Sequence, residues 1–88
     1  MAVENLVTVS NPVGLHARPV AQIVELARSL EVVITINKGE TVGHGHSTLS
    51  MLAMGVVTGD EVVVRATGKD AEIAVQEVLA VLTSREPS

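Results

Sequence analysis

An imidazole, a guanidinium two residues on and a proline directly after it occupy "GLHARP", residues 14–19. From here apolar residues recur at helical spacing, Val20, Ile23, Val24, Ala27 and Leu30, with Gln22, Glu25 and Arg28 on the other face. That spacing predicts an amphipathic helix of about 14 residues that starts near Ala17 and has His16 at its cap. The first turn of a helix has backbone N–H groups without intrahelical acceptors, and the aligned peptide dipoles add positive charge at that end. The N–H groups of Ala17 and Arg18 therefore lie beside the ring, where an anion is stabilised. Arg18 adds a fixed charge in a fork that matches phosphate oxygens. Pro19 falls in the first turn, where its missing N–H costs nothing and its fixed φ suits the helix. Gly14 allows the tight entry. These parts suit one chemistry: a neutral imidazole nitrogen attacks phosphorus and carries the group as a phosphoramidate. The alternative for His16 by itself is a capping or surface histidine with no chemical role.

Positioning that end requires a strand before it and a sheet beneath it. Residues 3–9, "VENLVTV", read as a strand, and "SNPVG" at 10–14 as a turn. "EVVITIN" at 31–37 is β-branched and predicts a strand, "KGE" at 38–40 a tight turn, and "ETV" at 40–42 a short return strand. "GHGHS" at 43–47 reads as a glycine-rich loop, and "STLSMLAMG" at 47–55 as a short helix capped by Ser47 and ended by Gly55. "TGDE" at 58–61 is a turn and "EVVVRAT" at 61–67 a strand, broken by Gly68. Asp70 is expected to cap a last helix in which Ala71, Ala74, Val75, Val78, Val81 and Leu82 share a face. The terminal "TSREPS" should fray. The order βαββαβα suggests an α+β two-layer fold, with helices over one face of a mainly antiparallel sheet. No internal repeat or linker divides residues 1–88, which predicts a single domain.

Composition removes several classes of function. The chain is 47% hydrophobic and 18% charged, enough to bury a core and unlike a disordered polymer. It contains no Phe, Trp or Tyr, so the core must be aliphatic, and no Cys, so thiol chemistry is absent. Ten acidic against six basic residues give a net charge of −4, which argues against a nucleic-acid surface, and base stacking has no rings to use. No apolar run approaches the roughly 20 residues of a membrane span. The start, "MAVENLVTVS", lacks the pattern of a secretion signal, so a cytoplasmic protein without membrane insertion is expected. No carboxylate pair, Ser–His–Asp order or P-loop appears, and nothing supports an enzyme with its own small substrate or a cofactor.

"GLHARPVAQIVELA" resembles the active-centre signature of the HPr family, the histidine-containing phosphocarriers of the phosphoenolpyruvate-dependent phosphotransferase system. The family pattern G-[LIM]-H-[AT]-R-P-A is matched by Gly14, Leu15, His16, Ala17, Arg18 and Pro19, with Val20 in place of the usual small residue. Length, element order, "MGVVTGDEVVVRATG" and the final helix extend the likeness to nearly the whole chain. The resemblance implies an open-faced β-sandwich, four antiparallel strands covered on one face by three helices. It implies that His16 takes phosphate from phospho-Enzyme I, on Nδ1, and passes it to the A-domain of a sugar-specific Enzyme II or of a nitrogen-regulating branch. Arg18 would contact the phosphate. A monomer is expected.

The resemblance also singles out Ser47, since many relatives carry a serine at the start of the second helix that a serine kinase and phosphatase regulate. Here Ser47-Thr48-Leu49-Ser50 departs from the usual serine, two apolar residues and glycine, and an N-cap serine with a structural role is the competing reading. Exposed apolar residues of this helix form a docking surface in the family, which nominates Leu49 and Met54 against a core role for each. His44 and His46 stand two apart in the glycine loop. A metal site would need a third or fourth ligand, and none is at hand, so a solvated loop is expected. Two rival functions remain: a regulatory docking module of the same fold, which the presence of His16 disfavours, and a metal-binding or purely structural domain.

Overall fold

The computed structural model describes residues 1–85. The chain runs β1 (Ala2–Thr8), α1 (Ala17–Leu30), β2 (Val33–Lys38), β3 (Thr41–His44), α2 (Thr48–Leu52), β4 (Glu61–Thr67) and α3 (Ala71–Thr83). The strands form a four-stranded sheet in the order β1-β4-β2-β3, and every neighbouring pair is antiparallel. β1 comes first in the chain and pairs with β4, the last strand, so the entry to α1 is held by the far end of the sequence. The expected open-faced α+β architecture is the observed one.

Period-two alternation divides the sheet into two faces. Ala66 stands opposite Val3 on one side and Ile34 on the other, and Val64 lies between Asn5 and Ile36. Val62, Val64, Ala66, Ile34 and Ile36 are buried. On the other face, Leu6 pairs with Val63, Asn37 with Val63 and Val42, and Glu4 with Arg65, whose guanidinium donates to the Glu4 carboxylate at 3.0 Å. That face has no helix over it: Leu6 is 65% and Val33 61% exposed.

α1 lays Pro19, Val20, Ile23 and Ala27 on the sheet, and α3 lays down Ala71, Ala74, Val75, Val78 and Leu82. Both sets follow the i, i+3, i+4, i+7 spacing of one helix face. Val24, Leu30 and Val81 lie at the margins, half-buried. Without aromatic rings the core is filled by Val, Ile, Leu, Met and Ala, each fully buried Val, Ile or Leu contributing about 1.5–3 kcal/mol. No helix among the described residues is long and apolar enough to cross a membrane.

Several boundaries differ from expectation, each for a local reason. β2 begins at Val33, because Glu31 takes a left-handed conformation (φ 53°) and closes α1, its N–H donating to Ala27 O. Gly43 and His44, read as loop, belong to β3. Gly43 pairs with Ile36, and α2 crosses directly above it: a Cβ there would lie 2.5 Å from Met54 Sδ and 3.1 Å from Met51 Cγ. The glycine therefore marks a close approach of helix to strand. α2 is shorter than predicted, ending at Leu52 with Ala53 as its cap, while Gly55 turns the chain with φ 66°. Asp70 occupies the N-cap of α3, but its side chain makes no capping bond, and the turn enters through Gly68 O and Ala71 N at 3.4 Å. Thr83, expected to fray, is helical and its hydroxyl donates to Leu79 O at 2.8 Å; residues 86–88 of that segment lie outside the described ones.

One ion pair fastens the end of β2 to the turn before β4. Lys38 Nζ donates to Asp60 Oδ2 at 2.7 Å, and the same oxygen accepts the Val57 N–H at 2.9 Å. These bonds, the Lys38 bond foremost, hold the Asp60 carboxyl below its ordinary value. A lowered carboxylate value stabilises the fold above the unfolded group's pKa and loses that contribution as pH falls through the folded one. Chemical denaturation of wild type and Asp60→Asn across pH should therefore show a stability gap at neutral pH that closes under acid, below the normal aspartate range. A gap constant with pH would show that the carboxylate charge is not what the turn uses. In the same assay Gly43→Ala should cost about 1–3 kcal/mol by overpacking against Met54. Adding Met54→Ala should then cost less than the two single losses summed.

Candidate functional site

The chain leaves β1 under tight control. Val9 N–H donates to Asp60 O at 2.8 Å, and the N–H groups of Ser10 and Asn11 both reach Leu82 O, at 3.0 Å each, near the end of α3. Asn11 is only 3% exposed, and its side chain closes on Gly14: Nδ2 donates to Gly14 O at 3.0 Å while Oδ1 accepts the Gly14 N–H at 3.1 Å. Gly14 has φ 64° and lies flat on the segment after α2. A Cβ there would collide with Val56 O and come within 2.8 Å of Val57 Cα. Leu15 is buried, and its N–H donates to Val56 O at 3.1 Å. Thr58 completes the contact, its hydroxyl donating to Asn11 O at 2.5 Å.

His16 follows as the N-cap of α1, with an extended backbone (φ −105°, ψ 175°) and an exposed side chain that makes no capping bond. Its ring is thus free of the task that a serine or aspartate performs at this position. The His16 carbonyl accepts the Val20 N–H at 3.0 Å, and Pro19 has no N–H. The N–H groups of Ala17 and Arg18 find no acceptor among the described residues, and both residues are exposed. No acidic residue stands in the first turn to neutralise the positive end of α1. Arg18 takes no part in the ion pairs among the described residues; its side chain lines an open cleft between α1 and α3 with Gln22, Glu25, Leu26, Glu77 and Val81. Glu25 in that cleft is already paired, to Arg28 at 2.6 Å. The structure thus brings together an accessible imidazole and two unpartnered donors, while the unpaired Arg18 guanidinium lies in the adjoining α1–α3 cleft, which His16 does not line. Such a set can steady the charge of a phosphoryl group while a ring nitrogen holds it.

The other expected residues fall elsewhere. Ser47 caps α2, its Oγ accepting the Ser50 N–H at 3.2 Å. Ser50 Oγ in turn donates to Ser47 O at 3.0 Å and accepts the His44 N–H at 2.9 Å, tying the end of β3 to α2. Leu49 is 78% exposed. Met54, nominated with it for docking, is buried at 8% and packs over Gly43 in the core, so that half of the expectation is corrected. The His44 and His46 rings are 5.5 Å apart between centroids, tilted by 42°, and no third His, Cys, Asp or Glu gathers with them among the described residues. Asn11, Val56 and Thr58 were not anticipated. Asn11 had a faint signal, an asparagine three residues before a glycine in a turn. The other two had none, since Thr58 meets Asn11 across 47 positions of sequence.

The family model described as "PTS HPr component phosphorylation site" matches residues 3–84. The phosphocarrier protein HPr of Mycoplasma capricolum is 36% identical over 70 residues, 80% of this chain and 79% of that protein. The phosphocarrier protein NPr of Escherichia coli is 29% identical over 85 residues, 96% of this chain and 94% of that one. Among solved structures, phosphocarrier protein HPr from Bacillus anthracis superposes with a TM-score of 0.84 at 30% identity, covering 92% of this chain and 96% of that one.

The entry to the site depends on a residue without a Cβ. Gly14→Ala should destabilise the protein by at least about 2 kcal/mol, from left-handed strain and the collision with Val56. The largest amide shifts in its ¹H–¹⁵N spectrum should fall at 56–58 and 15–17. Undisturbed 56–58 amides would show that the two segments are not in contact.

Proposed function

The chain belongs to the HPr family of the phosphotransferase system, and from that membership we propose that it accepts a phosphoryl group on His16 and hands it to a second protein. Phosphocarriers of this family work between Enzyme I and Enzyme II proteins in general, and the reading here assigns the donor step to phospho-Enzyme I and the acceptor step to an Enzyme II A-domain. The observation that carries it is the uncapped, exposed His16 ring beside the unpartnered N–H groups of Ala17 and Arg18.

The step is a displacement at phosphorus. The lone pair of the unprotonated ring nitrogen, Nδ1 by family resemblance, forms the new N–P bond. The bond from phosphorus to the donor's imidazole nitrogen breaks, and its electron pair returns to that ring. Charge on the three equatorial oxygens is met by the Ala17 and Arg18 N–H groups and by the Arg18 guanidinium once it turns from its cleft toward the phosphate. The second transfer is the reverse of the first with a new acceptor. Because the N–P bond is exchanged for another of similar kind, the carrier needs neither a general acid nor a cofactor of its own.

Several finer readings belong with this one. Leu49, exposed on α2, is assigned to partner docking. Ser47 is a candidate for regulatory phosphorylation by a serine kinase, supported by its N-cap place and weakened by its use as acceptor for Ser50. The protein is taken as a cytoplasmic monomer. A nitrogen-branch role is the second reading, favoured by the full-length likeness to NPr; transfer to A-domains of the two branches, compared side by side, separates them.

Incubation with Enzyme I and phosphoenolpyruvate should give a single acid-labile phosphoramidate signal by ³¹P NMR. His16→Ala should abolish it while its circular dichroism matches wild type. Arg18→Ala should slow transfer by about 10²-fold, the usual effect of losing one donor to a developing oxyanion. Phosphate retained by folded His16→Ala would refute the assignment, and wild-type rates in Arg18→Ala would remove that residue from the site.

A further inference from the structure

We infer that Asn11 is a positioning residue for phosphoryl transfer at His16: its side chain sets the direction in which the ring leaves the Gly14 turn. The inference rests on the carrier reading and adds to it a residue five positions upstream of the phosphate. Asn11 is buried to 3% exposure, yet none of its polar atoms is orphaned. The side-chain donor and acceptor are both used on one residue, Gly14, at 3.0 and 3.1 Å. Its main-chain N–H reaches α3 through Leu82 O at 3.0 Å, and its carbonyl takes the Thr58 hydroxyl at 2.5 Å. Asn11 thus joins the turn, the 56–58 segment and the end of α3.

The chemistry of the side chain explains why an amide is suited to this place. A carboxamide offers one N–H and one C=O side by side, matching the N–H and C=O of a single residue. Alanine offers neither. Aspartate keeps the acceptor, loses the donor and brings a charge into a site with little water. The consequence passes down the chain in two residues. The Gly14–Leu15 peptide plane is held from both sides, its N–H by Val56 O at 3.1 Å and its C=O by Asn11 Nδ2 at 3.0 Å, and Asn11 Oδ1 holds the N–H of the plane before it, so Asn11 helps fix the path by which the chain reaches His16. A ring that swings away from the Ala17 and Arg18 N–H groups loses their help in the transition state, and a displacement of about 1 Å can cost about 10²-fold in rate. Docking surfaces are untouched, so the loss should appear in the transfer step within the complex.

The test is single-turnover transfer from phospho-Enzyme I, with donor concentration varied to give the saturating rate and the half-saturating concentration. Asn11→Ala should lower the saturating rate by about 10²-fold and leave half-saturation within about twofold of wild type. Asn11→Asp, which retains the acceptor for Gly14 N–H, should recover part of the rate. Should Asn11→Ala fail to fold, Thr58→Val removes one of the three anchors and should lower the same rate by a smaller factor. Val78→Ala, a cavity in α3, serves as the control for lost stability alone and should transfer at the wild-type saturating rate. A wild-type saturating rate in folded Asn11→Ala, an effect confined to half-saturation, or an equal loss in Val78→Ala would each overturn the inference. Absence of label on wild-type protein would instead overturn the carrier reading itself, so the two failures are distinguishable.

Discussion

Gly14 lies flat against the backbone of Val56 and Val57, so close that any side chain on it would collide. Most of what makes the site usable follows from that contact. It brings the end of the turn after β1 onto the segment that follows α2, so Leu15 can bond Val56 O and bury its side chain. The next residue is then delivered to the mouth of α1 with an extended backbone and a side chain that makes no capping bond. Cyclic bonding by Asn11 holds the glycine's own polar groups, which a turn pressed against another backbone could not expose to water. Site and scaffold are therefore one packing problem. The sheet supplies the base, since β1 and β4 lie side by side and set the 56–60 segment next to the turn.

Reactive groups are left unsatisfied here and satisfied almost everywhere else. The described residues contain no buried side-chain polar atom without a partner, while the N–H groups of Ala17 and Arg18, both exposed residues, have no protein acceptor among the described residues. A serine or aspartate at position 16 would close one of them and stabilise the helix by about 1 kcal/mol. Histidine forgoes that contribution and keeps the anion site open. Helix stability comes instead from the face that α1 buries, with Val20 and Ile23 fully enclosed.

What was legible in the sequence divides along the range of the interactions involved. The strand–turn–helix around His16 could be read because proline, glycine and the apolar period act within a few residues. The strand at 61–67 was read to the residue for the same reason. Docking and core roles for Met54 both stay open on sequence, because it falls two residues past Leu52, where α2 ends and helical spacing no longer applies. The deciding fact, a bare glycine beneath its sulfur, lies in another strand. Gly43 reads as loop yet belongs to β3, its lack of a side chain set by Met54 and Met51 passing close over it; Gly45 is loop as read, and a Cβ there would lie 2.9 Å from Ile34 Cβ. Asn11 and Thr58 needed the fold itself, for no local rule joins residues so far apart.

The all-aliphatic core has a spectroscopic consequence. With no Phe, Tyr or Trp, the only aromatic ring protons in the molecule belong to three imidazoles, one at the mouth of α1 and two at and just after the end of β3. Once the exchangeable N–H protons are replaced in D2O, a one-dimensional proton spectrum of unlabelled protein therefore carries in its aromatic window little besides His16, His44 and His46, and absorbance near 280 nm is close to nil. The packing that excludes large rings from the interior leaves the chemical state of the surface imidazole readable without isotopic labelling of the protein or a fluorophore.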